Sequence, residues 1–154
     1  ACAGAPYEDF AFWLGDWDVY QPATGQLAGH NSITREENGC LLIERWQGAT
    51  GTTGQSINYV DPGTGKWRQV WVSPVVTIDY EGGLDEGGAM VLAGTIAYRA
   101  TGLVAGFRGT WTDNGDGSVT QLFEQYDTDR DAWQVWFTGL YLPEGAPAPA
   151  GASE

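Results

Sequence analysis

Short runs of alternating apolar and polar residues follow one another along the chain, with turn-forming residues between them. The turns contain clusters of Gly, Pro, Asn and Asp, such as "DPGTGK" at 61–66 and "DNGDGS" at 113–118. No helical period is sustained, and one helical turn at most is expected in "APYEDFAFW". The pattern predicts about ten strands, near residues 13–20, 26–36, 40–48, 53–60, 66–73, 75–81, 89–98, 103–112, 118–126 and 132–141.

The short connections favour an up-and-down antiparallel meander, because neighbouring strands joined by tight turns pair with each other. An open sheet of this size would leave two long edges unpaired, and closure into a β-barrel removes them. An all-β barrel is therefore the predicted fold, with a two-sheet sandwich as the alternative. Residues 1–143 would form this single domain, and the small, Pro-rich residues of 144–154 predict a flexible tail.

Composition limits the partners of this domain. The 154 residues include 20 acidic and 7 basic side chains, a formal net charge of −13. Such a charge repels phosphate backbones and anionic lipid, and no run approaches the roughly 20 apolar residues that cross a membrane. We expect no nucleic-acid partner and no membrane insertion, and the composition leaves the oligomeric state open. Eight Trp and 23 Gly suit a β-rich shell with crowded backbone crossings.

Cys2 and Cys40 are the two cysteines of the chain. Together with the start "ACAGAPY", which has no initiator Met, they fit an exported protein, periplasmic or extracellular, whose disulfide ties the N-terminal segment to the body. The alternatives are two free thiols, or a lipid-modified Cys2, which the preceding Ala1 disfavours.

Several segments resemble the lipocalin and wider calycin barrels. They are "FAFWLGDWDV" at 10–19, which contains the Gly-x-Trp signature, "NGCLLIERWQG" at 38–48, "GQSINYVDPGTGKWRQVWV" at 54–72, "GTWTDNGDGSVTQLFEQ" at 109–125 and "WFTGLY" at 136–141. Within that group the chain is similar to small exported bacterial lipocalin-like proteins of mostly unassigned function. Barrels of this type include carriers, haem binders and a few enzymes, so the resemblance implies a fold more than a function.

The resemblance also implies a role for Trp17. In lipocalins the signature Trp packs at the closed end of the barrel, beneath a basic side chain from a late strand. Trp17 would take the first role, and Arg108 in "GFRGTW" is the candidate for the second. The alternative is that Trp17 contacts a ligand.

Side-chain parity predicts which residues face the barrel interior. In "KWRQVWVS", Trp67, Gln69 and Trp71 share one face of a strand, whereas Val70 and Val72 share the other. We place the Trp face inward, because a polar side chain between two Trp residues is typical of a cavity wall with few polar anchors. The opposite orientation, with the valines inside, is the alternative.

Glu44 shares a strand face with Leu42 and Trp46, which predicts a carboxyl group inside the barrel. Burial would raise its pKa unless a cation or hydrogen-bond donors hold the charged form. Three roles stay open: a satisfied polar network with Arg108 or another interior donor, a general acid or base, and simple surface exposure.

The inward faces together predict a Trp-rich chamber with amide and carboxylate anchors. Its residues would be Asn31, Glu44, Trp46, Asn58, Trp67, Gln69, Trp71 and Gln121, with Arg108 as a further ligand contact. Such walls suit a flat or conjugated molecule with several oxygens. The alternative is a packed core in which these polar groups satisfy one another.

The function expected from this chamber is binding of a small hydrophobic or aromatic molecule, as a carrier or sequestering protein. The alternative is a cofactor-independent lyase, isomerase or hydratase with Glu44 as acid or base. No cofactor and no metal site are expected. The single histidine, His30, excludes a multi-histidine zinc site and leaves a haem-type site as the weakest reading. "DTDRDAW" at 127–133 departs from a calcium loop and predicts a hairpin turn.

Overall fold

The computed structural model describes residues 2–150, and within them the chain is almost entirely β-structure. Two short 3-10 turns are formed by Ala11–Trp13 and Glu37–Gly39. The strand bounds differ from the predicted ones by at most three residues, so the predicted elements are confirmed. The ten strands, β1 to β10, are Gly15–Tyr20, Leu27–Glu36, Leu41–Gly48, Thr53–Val60, Trp67–Val72, Val76–Leu84, Met90–Tyr98, Val104–Asp113, Val119–Asp127 and Ala132–Pro143.

The strands form a closed antiparallel barrel in which each one pairs with its neighbours in sequence. Closure comes from β1 and β10, which pair from Trp17 opposite Pro143 to Tyr20 opposite Leu140. The predicted up-and-down barrel is confirmed, and the alternative sandwich is wrong. The physical reason is that the closed ring leaves no unpaired strand edge.

Aromatic residues close the end of the barrel at which the N-terminal segment enters, hereafter the closed end. Phe10 and Trp13 are fully buried and stack with their ring centroids 4.6 Å apart. Phe10 also contacts the rings of Trp67 and Trp111 edge-on, at 5.5 and 5.2 Å. The indole nitrogen of Trp67 donates a hydrogen bond to the carbonyl of Pro6 at 3.1 Å. The N-terminal segment therefore acts as an apolar plug for one end of the barrel.

Trp17 belongs to this end, and its burial agrees with a structural role. It is 6% exposed, and its indole nitrogen donates to the carbonyl of Trp13 at 2.8 Å. The ring of Tyr141 meets it edge-on at 5.8 Å. The 3-10 turn that carries Trp13 is thus hydrogen-bonded to the first strand from inside the barrel.

The expectation that Arg108 covers Trp17 is wrong. Arg108 lies on the outer face of β8, where it donates two hydrogen bonds to Glu124, at 2.8 and 3.2 Å. Its guanidinium carbon lies 4.2 Å from the ring centroid of Trp133. The reason is parity, because its neighbours Phe107 and Gly109 both face the core, and adjacent strand residues point to opposite faces.

Cys2 and Cys40 are joined by a disulfide, as predicted, across 38 residues of sequence. The backbone nitrogen of Cys2 also donates to the carbonyl of Asn38 at 3.2 Å. Gly39, with φ of +91°, passes so close that an added Cβ would lie 2.5 Å from the carbonyl oxygen of Cys2. The N-terminal segment is therefore tied to the turn before β3.

The start of the predicted tail contacts the barrel. The backbone nitrogens of Glu144 and Gly145 donate to the carbonyl of Asp16 and to a carboxylate oxygen of Asp18, each at 3.0 Å. Residues 151–154 of that tail lie outside the described residues. No helix among residues 2–150 has both the length and the apolar character needed to cross a membrane.

Candidate functional site

The predicted polar chamber residues all face the interior, so their parity is confirmed. The buried members are Asn31, Glu44, Asn58, Gln69 and Gln121. Trp67 is also buried, but it lies in the closed-end plug, where its ring meets Phe10 edge-on. The part that these residues play in binding stays a prediction.

Glu44 lies at the centre of a hydrogen-bond network inside the barrel. Its carboxylate accepts from the hydroxyl of Ser56 at 2.6 Å and from the side-chain amide of Asn31 at 2.8 Å. The same amide of Asn31 donates to the hydroxyl of Tyr141 at 2.8 Å, and that hydroxyl donates to Gln121 at 3.1 Å. Strands distant in sequence are therefore joined through one carboxyl group.

The network continues from Ser56 to the far side of the barrel. Asn58 donates to the Ser56 hydroxyl at 2.8 Å and accepts from the side-chain amide of Gln69 at 2.6 Å. Gln69 in turn accepts from the hydroxyl of Tyr80 at 2.6 Å. At this level the polar groups satisfy one another, which is the packed-core alternative for this part of the barrel.

No cation is paired with Glu44 in the described part of the chain, so the suggested pairing with Arg108 is wrong. Glu44 is 5% exposed, and burial raises its pKa from 4.5 to about 7, because an ionised carboxylate loses its hydration there. The hydrogen bonds from Ser56 and Asn31 lower the pKa, but by less than burial raises it. The carboxyl group is thus divided between its two forms near neutral pH.

One acceptor of the network is unused. The side-chain oxygen of Asn31 is buried and has no hydrogen-bond partner, whereas the nitrogen of the same amide donates twice. A buried acceptor without a donor costs about 1–3 kcal/mol. Asn31 pairs with Trp46 across β2 and β3, so this oxygen belongs to a residue at the level of the partly exposed tryptophans described next.

The opposite end of the barrel, hereafter the open end, carries aromatic residues that are only partly buried. Trp46 and Trp71 lie near the ends of β3 and β5 and face inward as predicted, yet both keep some exposure. Trp46 packs over Gly29, and the ring of Trp71 packs over Gly54. An added Cβ would lie 2.8 Å from the Trp46 ring at Gly29 and 2.1 Å from the Trp71 ring at Gly54, so only glycine fits beneath them.

Trp136 is a third tryptophan of the open end. The alternation of side chains along the strand did not predict that it contributes to the interior. A register shift between Val135 and Phe137 in β10 inserts an extra residue there. The Trp136 ring meets Phe107 edge-on at 5.3 Å, and its nitrogen donates to the hydroxyl of Tyr98 at 3.1 Å, although the residue is 42% exposed. The strand pattern "AWQVWF" shows no sign of this bulge, because simple alternation cannot reveal an inserted residue.

A depression of about 810 Å³ runs along β1 to β5. Its walls include the exposed or partly exposed side chains of Asp16, His30, Arg45, Gln55 and Val72. Asn31 and Trp46, which face inward, also line this depression, together with Ser73, Pro74 and Arg99 from the connections at the open end. The depression therefore adjoins the open end of the barrel.

His30 lines this depression from the outer face of β2, which places it away from the interior and from any haem-type pocket there. Its Nδ1 lies 2.5 Å from a carboxylate oxygen of Asp18. Donor atoms of Asp18, His30 and Glu144 all lie within 4.8 Å of one another. Sequence reasoning missed this group, because the closure of β10 onto β1 is what brings Glu144 to it.

No protein-family model matches the chain, and no curated protein matches it either. What the open end can bind is therefore inferred from the arrangement of its residues. Partly exposed indole rings offer apolar contact, and the network below offers an ionisable carboxyl group and an unused acceptor.

Proposed function

We propose that the protein binds a small molecule with a hydrophobic or aromatic body at the open end of a lipocalin-like barrel. The observation that carries this proposal is the incomplete burial of Trp46, Trp71 and Trp136, three tryptophans that contribute to the interior of the open end. Inward aromatic rings of a finished core are normally covered completely, as Trp13 and Trp111 are at the closed end. Rings left uncovered at one end are suited to a ligand that completes their packing.

The two ends of the barrel have different roles in this proposal: the closed end stabilises the fold, and the open end binds the ligand. The aromatic plug and the disulfide make the closed end rigid, and the polar network fills the middle. A ligand would enter from the open end and stack on indole rings held over glycine. Rings held in place in this way lose little conformational entropy on binding, which favours affinity.

The disulfide supports a second part of the proposal, namely that the protein works in an oxidising compartment. Disulfides persist in exported proteins and are rare in the reducing cytosol. An exported, periplasmic or extracellular binding protein that carries or sequesters its ligand fits both features.

One observation favours an enzyme as the second candidate. Glu44 has a pKa of about 7, the value at which a general acid or base works best near neutral pH. Its contacts with Ser56 and Asn31 hold the carboxyl group in a single orientation. A lyase, isomerase or hydratase without a cofactor would need Glu44 to reach the bound molecule.

Fluorescence titration with the neutral probe N-phenyl-1-naphthylamine tests the binding proposal. We expect saturable enhancement of probe fluorescence with the wild-type protein, and a loss of affinity of about tenfold in Trp136→Leu, since a ring contact is removed from the open end. Trp133→Leu is the matched control, because this tryptophan lies on the outer face of the same strand beneath Arg108. It should bind the probe like wild type.

Absence of saturable binding, or an equal loss in the two variants, would contradict a site at the open end. Candidate substrates with an aromatic body should be followed by chromatography in parallel. Product that forms with wild type and is lost in Glu44→Gln, while binding persists, would establish the enzyme instead of the carrier.

A further inference from the structure

We propose that the ligand of the open end is an organic cation, an aromatic or aliphatic body that carries a protonated amine directed at Glu44 and Asn31. This inference rests on the proposed binding function and names the chemical class of its ligand. A cation site requires three features: hydrogen-bond acceptors that lack donors, a carboxyl group with no positive group beside it, and a wall that tolerates positive charge.

Near Glu44 and Asn31, where the polar end of the ligand would lie, hydrogen-bond acceptors outnumber donors. Glu44 accepts from two neutral groups, Ser56 and Asn31, and the side-chain oxygen of Asn31 accepts from none. An ammonium group has three donors and no acceptor, so it fits a site with unused acceptors. A carboxylate or phosphate ligand would add acceptors to a site that already lacks donors.

The acid is uncompensated from every side. The polar groups that face Glu44 are Asn31 on β2, Ser56 on β4 and the two tyrosines Tyr80 on β6 and Tyr141 on β10. Only the tyrosines titrate, and burial followed by the charge of Glu44 raises the pKa of both far above neutrality. None of these groups supplies a positive charge, so a bound cation would be the direct counter-ion of Glu44.

The position of Glu44 places this counter-ion at the base of the open end. Glu44 precedes Trp46 by two residues on β3, so their side chains point to the same side. It also pairs with Ser56, which pairs with Trp71 on the next strand. A molecule whose body lies between these tryptophans would therefore have its end near the carboxyl group.

The indole rings of the wall favour cations, whereas Arg45 and Arg99 line the depression beside Trp46 and Asn31 and are the positive groups near this end. Indole rings attract a positive charge over their faces, and the chain shows this on its outer surface, where Arg108 lies over Trp133 at 4.2 Å. The formal net charge of −13 raises the local concentration of cations and lowers that of anions. Both effects act before the ligand reaches Glu44.

Binding of a cation should be linked to release of a proton. Without ligand, the carboxyl group with its pKa near 7 is mostly protonated below that pH. A cation beside it favours the ionised form, so the pKa falls and the proton leaves. Affinity for the amine should thus rise as the pH increases through about 7, and then level off.

Competition of three naphthalene compounds against N-phenyl-1-naphthylamine tests the ligand class. They are 2-(1-naphthyl)ethylamine, the matching alcohol 2-(1-naphthyl)ethanol and the matching acid 1-naphthylacetate. We expect the amine to bind at least about tenfold more tightly than the alcohol at about pH 8, and the acid to bind most weakly, since a charge-assisted hydrogen bond is stronger than a neutral one. An alcohol or acid that equals the amine would overturn the proposal.

The role of Glu44 is tested by Glu44→Gln, with Glu124→Gln as the matched control on the outer face. The preference for the amine over the alcohol should shrink to within about twofold in Glu44→Gln and stay unchanged in Glu124→Gln. Calorimetry in buffers of different ionisation heat, at about pH 6.5, should show proton release on amine binding by the wild-type protein. That measurement needs no variant, so it decides even if Glu44→Gln does not fold.

The outcomes separate this inference from the binding function. Probe binding that depends on Trp136, without amine preference or proton release, would retain the open-end site and overturn the cation. Amine binding without proton release would overturn contact with Glu44. No binding of the probe or of any naphthalene compound would overturn both.

Discussion

Trp17 shows at the scale of one residue how the closed end is held together. The side chain is buried, it packs against Tyr141, and its nitrogen bonds the carbonyl of Trp13. It therefore fills interior volume and also satisfies a backbone group of the turn that forms the plug. Its place in the sequence predicted burial, but the hydrogen bond to Trp13 became visible only in the folded chain.

Trp17→Ala should lower the free energy of unfolding by roughly 3 to 5 kcal/mol, since it opens a large void and leaves the Trp13 carbonyl without its partner. Urea denaturation monitored by circular dichroism measures this. Trp136→Ala, which removes the same side chain from a residue 42% exposed, should cost less than half as much. Equal losses of stability in the two variants would contradict the packing role of Trp17, and loss of probe binding in a stable Trp17→Ala would assign Trp17 to the ligand site.

At the scale of the strands, inward aromatic residues are matched by glycines on neighbouring strands. Trp71 lies over Gly54, and Tyr80 packs against Gly94, where an added Cβ would be 2.8 Å from the Tyr80 Cβ. A Cβ at Gly54 would overlap the Trp71 ring, and a Cβ at Gly94 would meet the backbone of Asp79 and Tyr80, so neither position accepts a larger residue without a shift. Gly54 thus leaves the space that the Trp71 ring fills at the open end.

Gly54→Ala should destabilise the protein by about 1–3 kcal/mol and weaken probe binding, since the new methyl group displaces the Trp71 ring. Gly83→Ala is the control, because a Cβ there meets nothing within 4 Å, and its effect should stay within about 0.5 kcal/mol. Thermal melts and probe titrations of both variants check this. A neutral Gly54→Ala would show that the Trp71 ring moves freely, contrary to a preformed site.

At the scale of the whole molecule, the barrel is stabilised by contacts between residues far apart in sequence. The pairing of β1 with β10 closes the ring, and the Cys2–Cys40 disulfide ties the N-terminal segment to it. A crosslink between distant residues stabilises mainly by restricting the unfolded chain. For a loop of 38 residues, this contributes about 3 to 4 kcal/mol.

Reduction of the disulfide should lower the melting temperature by about 5 to 15 °C while the far-ultraviolet spectrum of the barrel persists at room temperature. The Cys2→Ser/Cys40→Ser double variant should melt like the reduced protein and show no response to reductant. An unchanged melting temperature on complete reduction, checked by thiol counting, would contradict this contribution.

The sequence by itself determined the strands and the faces on which most site residues lie. Alternation is a local property, so Glu44, Asn58 and Gln69 could be placed inside from their immediate neighbours alone. Turn residues likewise marked the strand ends to within three residues. The number of strands and their short connections then favoured a closed barrel, because an open sheet would leave two long edges unpaired.

Only the tertiary structure decided which interior groups meet. The bond between Asn31 and Tyr141 spans 110 residues of sequence, and the bulge that turns Trp136 inward leaves no mark in the alternation. Arg108 was misplaced because a family role was transferred to it against the parity of its own strand. Distances between remote side chains depend on the stagger of all ten strands around the ring, and no local pattern encodes that stagger.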